Sequence, residues 1–163
     1  MKTKRPIGVF PGSFDPVTYG HIDLIRRALS VFDRVIVAVA RQGSDKKALF
    51  TVEERLAFLR QATRGMKRVE VDEFDGLVVN YCQRKGAGAM VRGIRMLSDF
   101  EYEFQMALTN RRLAGKIETI FLMPHESYAT VSSRLVKEVA LLGGDVSSFV
   151  PSFIGKALKA KFL

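Results

Sequence analysis

The sequence predicts an α/β domain: a doubly wound, five-stranded parallel sheet with helices on both faces and additional helices at the C-terminal end. Three observations carry this reading. Short apolar runs alternate regularly with segments of helical period. One run, Val35 to Ala40, is almost continuously apolar and rich in β-branched residues, as in a parallel strand covered on both faces. Cap and stop signals, such as Thr51 with Glu54 and the pair Gly143-Gly144, fall at the joins between segments.

The elements follow in order. Ile7 to Phe10 reads as a short buried strand, and Gly20 to Phe32 as a helix with Ile22, Ile25, Leu29 and Phe32 on one face. After the strand Val35 to Ala40 comes a polar loop, Gln42 to Lys47. Thr51 and Glu54 form a capping box that opens the second helix. Val69 to Phe74 is the third strand, and Leu77 to Lys85 a short helix ended by Gly86. Ala89 to Val91 is the fourth strand. Ser98 and Glu101 read as a second capping box, opening a long helix that runs to about Leu113. Ile117 to Met123 is the fifth strand, Ser132 to Leu142 a helix, and Pro151 begins the last one. No repeat or linker divides the chain, so residues 1–163 are expected to form one domain.

Composition narrows the class. Hydrophobic residues at 47% and charged residues at 26% match a soluble globular protein, and no apolar run is long enough to span a bilayer. A cytoplasmic location is expected, because the basic N-terminus lacks the apolar stretch of a signal peptide. One cysteine, Cys82, and two histidines, His21 and His125, exclude an internal disulfide and a structural zinc site. Cys82 reads as a packing residue and His125 as a loop residue without chemistry. The net charge of +9 attracts anions without specifying them. The basic residues are scattered rather than massed, which argues against nucleic acid.

In an open parallel sheet, ligands bind beyond the carboxyl ends of the strands. The site is therefore expected in the loops after Phe10, Ala40, Phe74, Val91 and Met123. The first loop, Gly12-Ser13-Phe14-Asp15-Pro16-Val17-Thr18-Tyr19-Gly20-His21, leads into a helix start, whose amides favour an anion. Arg92-Gly93-Ile94-Arg95 follows the fourth strand and can turn two guanidinium groups toward one anionic ligand. Tyr128-Ala129-Thr130-Val131-Ser132-Ser133-Arg134 leads into another helix start. Taken alone, ordinary capping by Ser132 or Ser133 explains that segment better. Lys46 lies in a loop that faces the expected site. Phe10, Phe14, Phe100 and Phe104 read as packing residues rather than a base-stacking platform. Neither a Walker-type loop nor a dinucleotide-binding glycine fingerprint is present.

The first loop, Arg92 to Arg95, Asp99-Phe100-Glu101-Tyr102-Glu103 and Ser132-Ser133-Arg134-Leu135-Val136-Lys137-Glu138 together resemble the bacterial phosphopantetheine adenylyltransferases, in order and over nearly the whole chain. Thr18-Tyr19-Gly20-His21 marks only the wider nucleotidyltransferase superfamily; the arginine and acidic-aromatic segments are more specific. The resemblance implies a Rossmann-like nucleotidyltransferase fold and the reaction of ATP with 4′-phosphopantetheine to give dephospho-coenzyme A and pyrophosphate, the penultimate step of coenzyme A synthesis. It further implies Mg²⁺, a homohexamer and feedback inhibition by coenzyme A, with no nucleic-acid or membrane partner.

Carried over position by position, the resemblance assigns Ser13 and Phe14 to both ligands and His21 to the ATP phosphates. Lys46, with Lys47 as the adjacent alternative, matches a lysine that contacts both the phosphopantetheine phosphate and the reacting phosphate. Leu77 and Val78 fall where the pantetheine arm binds, and Arg92 where the acceptor phosphate binds. Gly93, Ile94, Arg95 and Glu103 match nucleotide-binding positions. Tyr128, Ala129, Thr130, Val131, Ser132, Ser133 and Arg134 match the triphosphate segment. This chain departs from the usual pattern at Ser13, in the loop Arg41 to Ala48, at Ala129 and Thr130, and at Arg134, which stands where a third serine is usual. No residue is named as a metal ligand. His21, Lys46, Arg95 and Ser133 are expected to stabilise charge at the reacting phosphates, with no covalent intermediate. A sister transferase with another acceptor and a basic RNA-binding module are the competing readings.

Overall fold

In the computed structural model, residues 6–41 and 48–162 are described. The strands are β1 (Ile7–Gly12), β2 (Arg34–Ala40), β3 (Val69–Phe74), β4 (Ala89–Gly93) and β5 (Glu118–Leu122). The helices are α1 (Tyr19–Val31), α2 (Val52–Ala62), α3 (Val78–Arg84), α4 (Leu97–Leu113), α5 (Ser133–Leu141) and α6 (Ser152–Phe162). A single 3₁₀ turn, Glu126–Tyr128, was not anticipated from the sequence.

All paired strands are parallel, in the order β3-β2-β1-β4-β5. The chain winds outward from β1 to β3, then returns to the other side of β1 with β4. This reversal leaves a crevice beyond the carboxyl ends of β1 and β4, where Gly12 and Gly93 stand.

Alternation along the strands divides the core in two. Phe10, Val35, Val37, Val39 and Val91 pack against Ile25 of α1, Leu59 of α2, Val136 of α5 and Ile154 and Leu158 of α6. Val9, Ile36, Ala38 and Met90 face the other way, onto Val79, Tyr81 and Cys82 of α3. Helices therefore cover both sheet faces, as the apolar run of β2 requires. Cys82 is buried, and burial pushes its thiol up to about 11, which suits packing and not reactivity.

Two expectations about α4 need correction. The Ser98–Glu101 capping box does not form: the helix starts at Leu97 with Met96 as N-cap and no side-chain cap bond. Asp99 instead folds back to accept a hydrogen bond from the Arg95 backbone N–H at 3.2 Å. Its outer face is also apolar. Phe100 (41% exposed) and Phe104 (46% exposed) stack on each other with centroids 5.5 Å apart, rather than entering the core of this chain. Phe10 and Phe14 are buried as expected.

Close approach explains the glycine at position 8. A Cβ there would lie 2.8 Å from the ring of fully buried Phe32. We expect Gly8→Ala to destabilise the fold by about 1–3 kcal/mol through overpacking. A urea titration checks this; an unchanged midpoint contradicts it.

Candidate active site

The loop after β1 is built by contacts from distant segments. Phe14 has a left-handed φ of +48°, a conformation that costs energy unless its surroundings hold it. Its ring is buried edge-on against Phe10, 5.4 Å away, and against His21, 5.0 Å away. Next to it, the buried Asp15 carboxylate accepts hydrogen bonds from the backbone N–H groups of Leu49 and Phe50, each at 2.9 Å, and from the Lys137 ammonium at 2.7 Å. Arg55 donates to the Ser13 carbonyl at 2.8 Å, and the Ser133 hydroxyl to the Pro16 carbonyl at 2.7 Å. Three of these partners lie at or just before the starts of α2 and α5, so the loop and both helix starts form one unit.

His21 closes the first turn of α1. Its Nδ1 accepts from the Thr18 backbone N–H at 3.0 Å, while Thr18 caps the His21 amide: a capping box with histidine in the usual Glu position. Because Nδ1 is the acceptor, the neutral ring carries its proton on Nε2. Burial first, then the nearby positive charges of Arg95 and Arg92, lower its pKa to about 4. The sequence reading cast His21 as a charge-stabilising group. With its pKa lowered this far, it is a neutral hydrogen-bond donor near neutral pH.

The arginines of the β4 loop are held rigidly. Arg92 grips Glu103 of α4 with Nε at 2.7 Å and Nη2 at 2.5 Å, and donates Nη1 to the Pro11 carbonyl at 3.0 Å. This ties β4, α4 and the end of β1 together. Arg95 reaches Asp99 with Nε at 3.2 Å and the Val131 carbonyl with Nη1 at 2.9 Å. A Cβ at Gly93, between them, would press on the Leu24 Cδ1 methyl, so a side chain there would require Leu24 to shift.

Two cavities open on this framework. The first, of about 330 Å³, is lined by Ser13, Phe14, His21, Arg92, Gly93, Arg95, Glu103, Tyr128, Val131, Ser132, Ser133 and Arg134. Its floor joins the starts of α1 and α5, where amides without helical partners favour anions. The second, of about 510 Å³, has apolar wall from Leu77, Val78, Phe74 and Met106, and polar wall from Arg41, Arg55 and Asn110. Pro11, Gly12, Ser13, Arg92 and Glu103 line both, so the two meet there.

Most of the residues singled out in the sequence are thus brought together. Ile94, Ala129 and Thr130 do not line either cavity: the Ile94 amide is bonded to the Leu122 carbonyl, and Thr130 is exposed. Ser132 lines the first cavity, but its hydroxyl caps α5 by accepting from the Leu135 N–H at 3.1 Å. Lys46, with Lys47, lies outside the described residues. His125 caps the 3₁₀ turn through Ser127. Asp15, Arg55 and Lys137 were missed as site residues. Asp15, inside the first loop, and Lys137, inside the Ser132 to Glu138 segment, lay in motifs that could have drawn attention to them; Arg55 had no such signal.

The cytidylyltransferase-like family model matches residues 9–139, which include the first loop, Arg92 to Arg95 and the start of α5. A phosphopantetheine adenylyltransferase of Thermodesulfovibrio yellowstonii is 54% identical over 155 residues, covering 95% of this chain and 96% of that protein. One from Caldanaerobacter subterraneus subsp. tengcongensis is 51% identical over 156 residues, covering 96% and 97%. The chain belongs to the phosphopantetheine adenylyltransferase family. It is a nucleotidyltransferase. A crystal structure from Vibrio parahaemolyticus, assigned to the nicotinate-nucleotide adenylyltransferases, superposes with a TM-score of 0.65 over 93% of this chain and 90% of that one. At 17% identity that likeness shows the shared fold. As expected for a phosphopantetheine adenylyltransferase, the fold is the doubly wound nucleotidyltransferase sheet.

The state of His21 is measurable. By NMR its ring should titrate near 4 in the ligand-free protein, and a bound triphosphate should raise that midpoint by favouring the imidazolium. The folded pKa lies below the unfolded one, so the unfolded chain binds more protons between about 4 and 6.5. Stability should accordingly fall as pH drops through that window, and His21→Asn should flatten the slope. A ring titrating at its ordinary 6.5 contradicts the assignment.

Proposed function

We propose that this protein transfers the adenylyl group of ATP to 4′-phosphopantetheine, producing dephospho-coenzyme A and pyrophosphate. The observation that carries the reading is the pair of joined cavities: one anion-binding at two helix starts, one partly apolar, meeting at Ser13 and Arg92. A nucleotide suits the first. An arm that mixes apolar and amide groups and ends in a phosphate suits the second, with Leu77 and Val78 along the arm and Arg92 near the phosphate.

The acceptor phosphate is itself the nucleophile. It is largely dianionic near neutral pH, with a second pKa of about 6, so no general base is needed. One of its oxygens attacks the α-phosphorus of ATP, the bond to the β-phosphate bridging oxygen breaks, and pyrophosphate leaves with those electrons. The His21 Nε2–H, Arg95, Ser133 and the α5 amides are assigned to the α- and leaving phosphates, and Lys46 to the reacting phosphate. Gly93, Glu103, Tyr128 and Arg134 are assigned to the nucleotide cavity wall. Holding both reactants in line can supply ~7–11 kcal/mol of barrier lowering in favourable cases.

Mg²⁺ enters this scheme as part of the substrate, on the triphosphate oxygens. Among the described residues no group of three or more His, Cys, Asp or Glu is gathered to hold a metal alone. The homohexamer comes with the family reading; the apolar outer face of α4, where Leu97 is 88% exposed and Phe100, Tyr102 and Phe104 are also uncovered, supports self-association in general. Coenzyme A, which shares the pantetheine arm and nucleotide of the product, suits both cavities and is the proposed feedback inhibitor. The reading carries a cytoplasmic location; among the described residues no helix is long and apolar enough to cross a membrane.

Pyrophosphate release from ATP and Mg²⁺, with and without 4′-phosphopantetheine, tests the proposal. Release should require the acceptor and match dephospho-coenzyme A formation one for one. No release, or release indifferent to the acceptor, overturns it. His21→Ala should lower kcat by about 10²–10³-fold, the loss typical of one preorganised donor. Near-normal turnover would remove His21 from the reacting centre.

A further inference from the structure

Arg55 is a buried arginine on the wall of the second cavity. It lies on α2 with the buried positions Leu56 and Leu59, and only 5% of its surface is exposed. Its Nη1 donates to the Ser13 carbonyl at 2.8 Å and its Nε to the Thr51 carbonyl at 3.3 Å. Both acceptors are uncharged. Among the described residues it forms no ion pair with any carboxylate.

The other charges on the described part of this wall are met. Arg92 is paired with Glu103 at 2.5 Å, Arg41 with Glu73 at 3.1 Å, and Asp15 with Lys137 at 2.7 Å. Arg55 is therefore the cation of this wall that no described carboxylate pairs directly; exposed Glu53 feels its charge from solvent without bonding to it. A buried, uncompensated charge is costly, and such groups are retained where a counter-charge is supplied. The cavity that Arg55 lines is open to a ligand. Arg55 also holds the carbonyl of Ser13, the residue at which the two cavities meet.

We infer that Arg55 is a second phosphate-binding residue of the acceptor cavity, acting with Arg92 on the phosphate end of the acceptor. This rests on the function proposed above. Arg92 already shares its fork with Glu103, which offsets part of its charge toward a dianion. Arg55 adds a positive charge to that of Lys46, and its planar guanidinium has donors left for phosphate oxygens after its two carbonyl bonds. A sequence reading had no handle on this: an arginine in the first turns of a helix reads as a solvated charge.

Calorimetric titration of 4′-phosphopantetheine and of unphosphorylated pantetheine into the wild type, Arg55→Met and Arg55→Gln tests the inference, with melting temperatures measured in parallel. Arg55→Met should weaken 4′-phosphopantetheine by about tenfold or more, the scale of one charged hydrogen bond. It should leave pantetheine within about twofold and the KM for ATP nearly unchanged. Equal weakening of both compounds would show that Arg55 only shapes the loop, and no weakening would show no role; either overturns the inference. If Arg55→Met does not fold, Arg55→Gln, which keeps a donor for a carbonyl and drops the charge, decides: reduced preference for the phosphorylated compound supports the inference, and unchanged preference overturns it. A wild type without that preference would overturn the proposed function as well, whereas a preference kept in the variants overturns only the role of Arg55.

Discussion

The site depends on one buried carboxylate. Asp15 gathers two backbone N–H groups before α2 and the ammonium of α5 onto the loop after β1. Without it, Lys137 would keep a partly buried charge and the Leu49 and Phe50 amides would lose their acceptors, each an expensive loss. The left-handed Phe14 sits one residue before it and is held between Phe10 and His21. The strained turn is thus sustained by contacts on both sides. It sets the Ser13 carbonyl for Arg55 and the Pro16 carbonyl for Ser133.

Around this anchor the polar groups are set before any ligand arrives. Arg92 and Arg95 are each fixed by a carboxylate and a backbone carbonyl, and His21 by the Thr18 amide. Donors that need not reorganise stabilise developing charge best. Neutral His21 fits this logic: two guanidinium groups already raise the local potential, and a third cation would oppose them. A neutral donor avoids that repulsion until the phosphates bring their own negative charge.

Much of the fold was legible in the sequence. The β-branched run of β2 announced a strand covered on both faces, and the Thr51–Glu54 box formed as read. The strand-end rule led to the right loops, since Gly12 and Gly93 flank the crevice where the strand order reverses. What escaped was tertiary. Asp15 meets Leu49 at a separation of 34 residues and Lys137 at 122, and Arg55 meets Ser13 at 42. No local pattern encodes such pairings. Ser98 and Glu101 matched a capping box in spacing, yet the helix starts before Ser98 without a side-chain cap, and Asp99 turns back to the Arg95 backbone N–H. The apolar residues of α4 have core-like identity, but their periodicity does not say whether the face they cover belongs to this chain or to another.

At the centre of this account is a direct transfer between two ligands held in adjoining cavities, with no covalent enzyme intermediate. The stereochemical course at the transferred phosphorus tests it most directly, using ATP made chiral at the α-phosphorus by a sulfur substitution. A single in-line displacement by the acceptor phosphate predicts inversion of configuration in the product. Retention would require two successive displacements, and so an enzyme-bound adenylyl group, and would contradict the account.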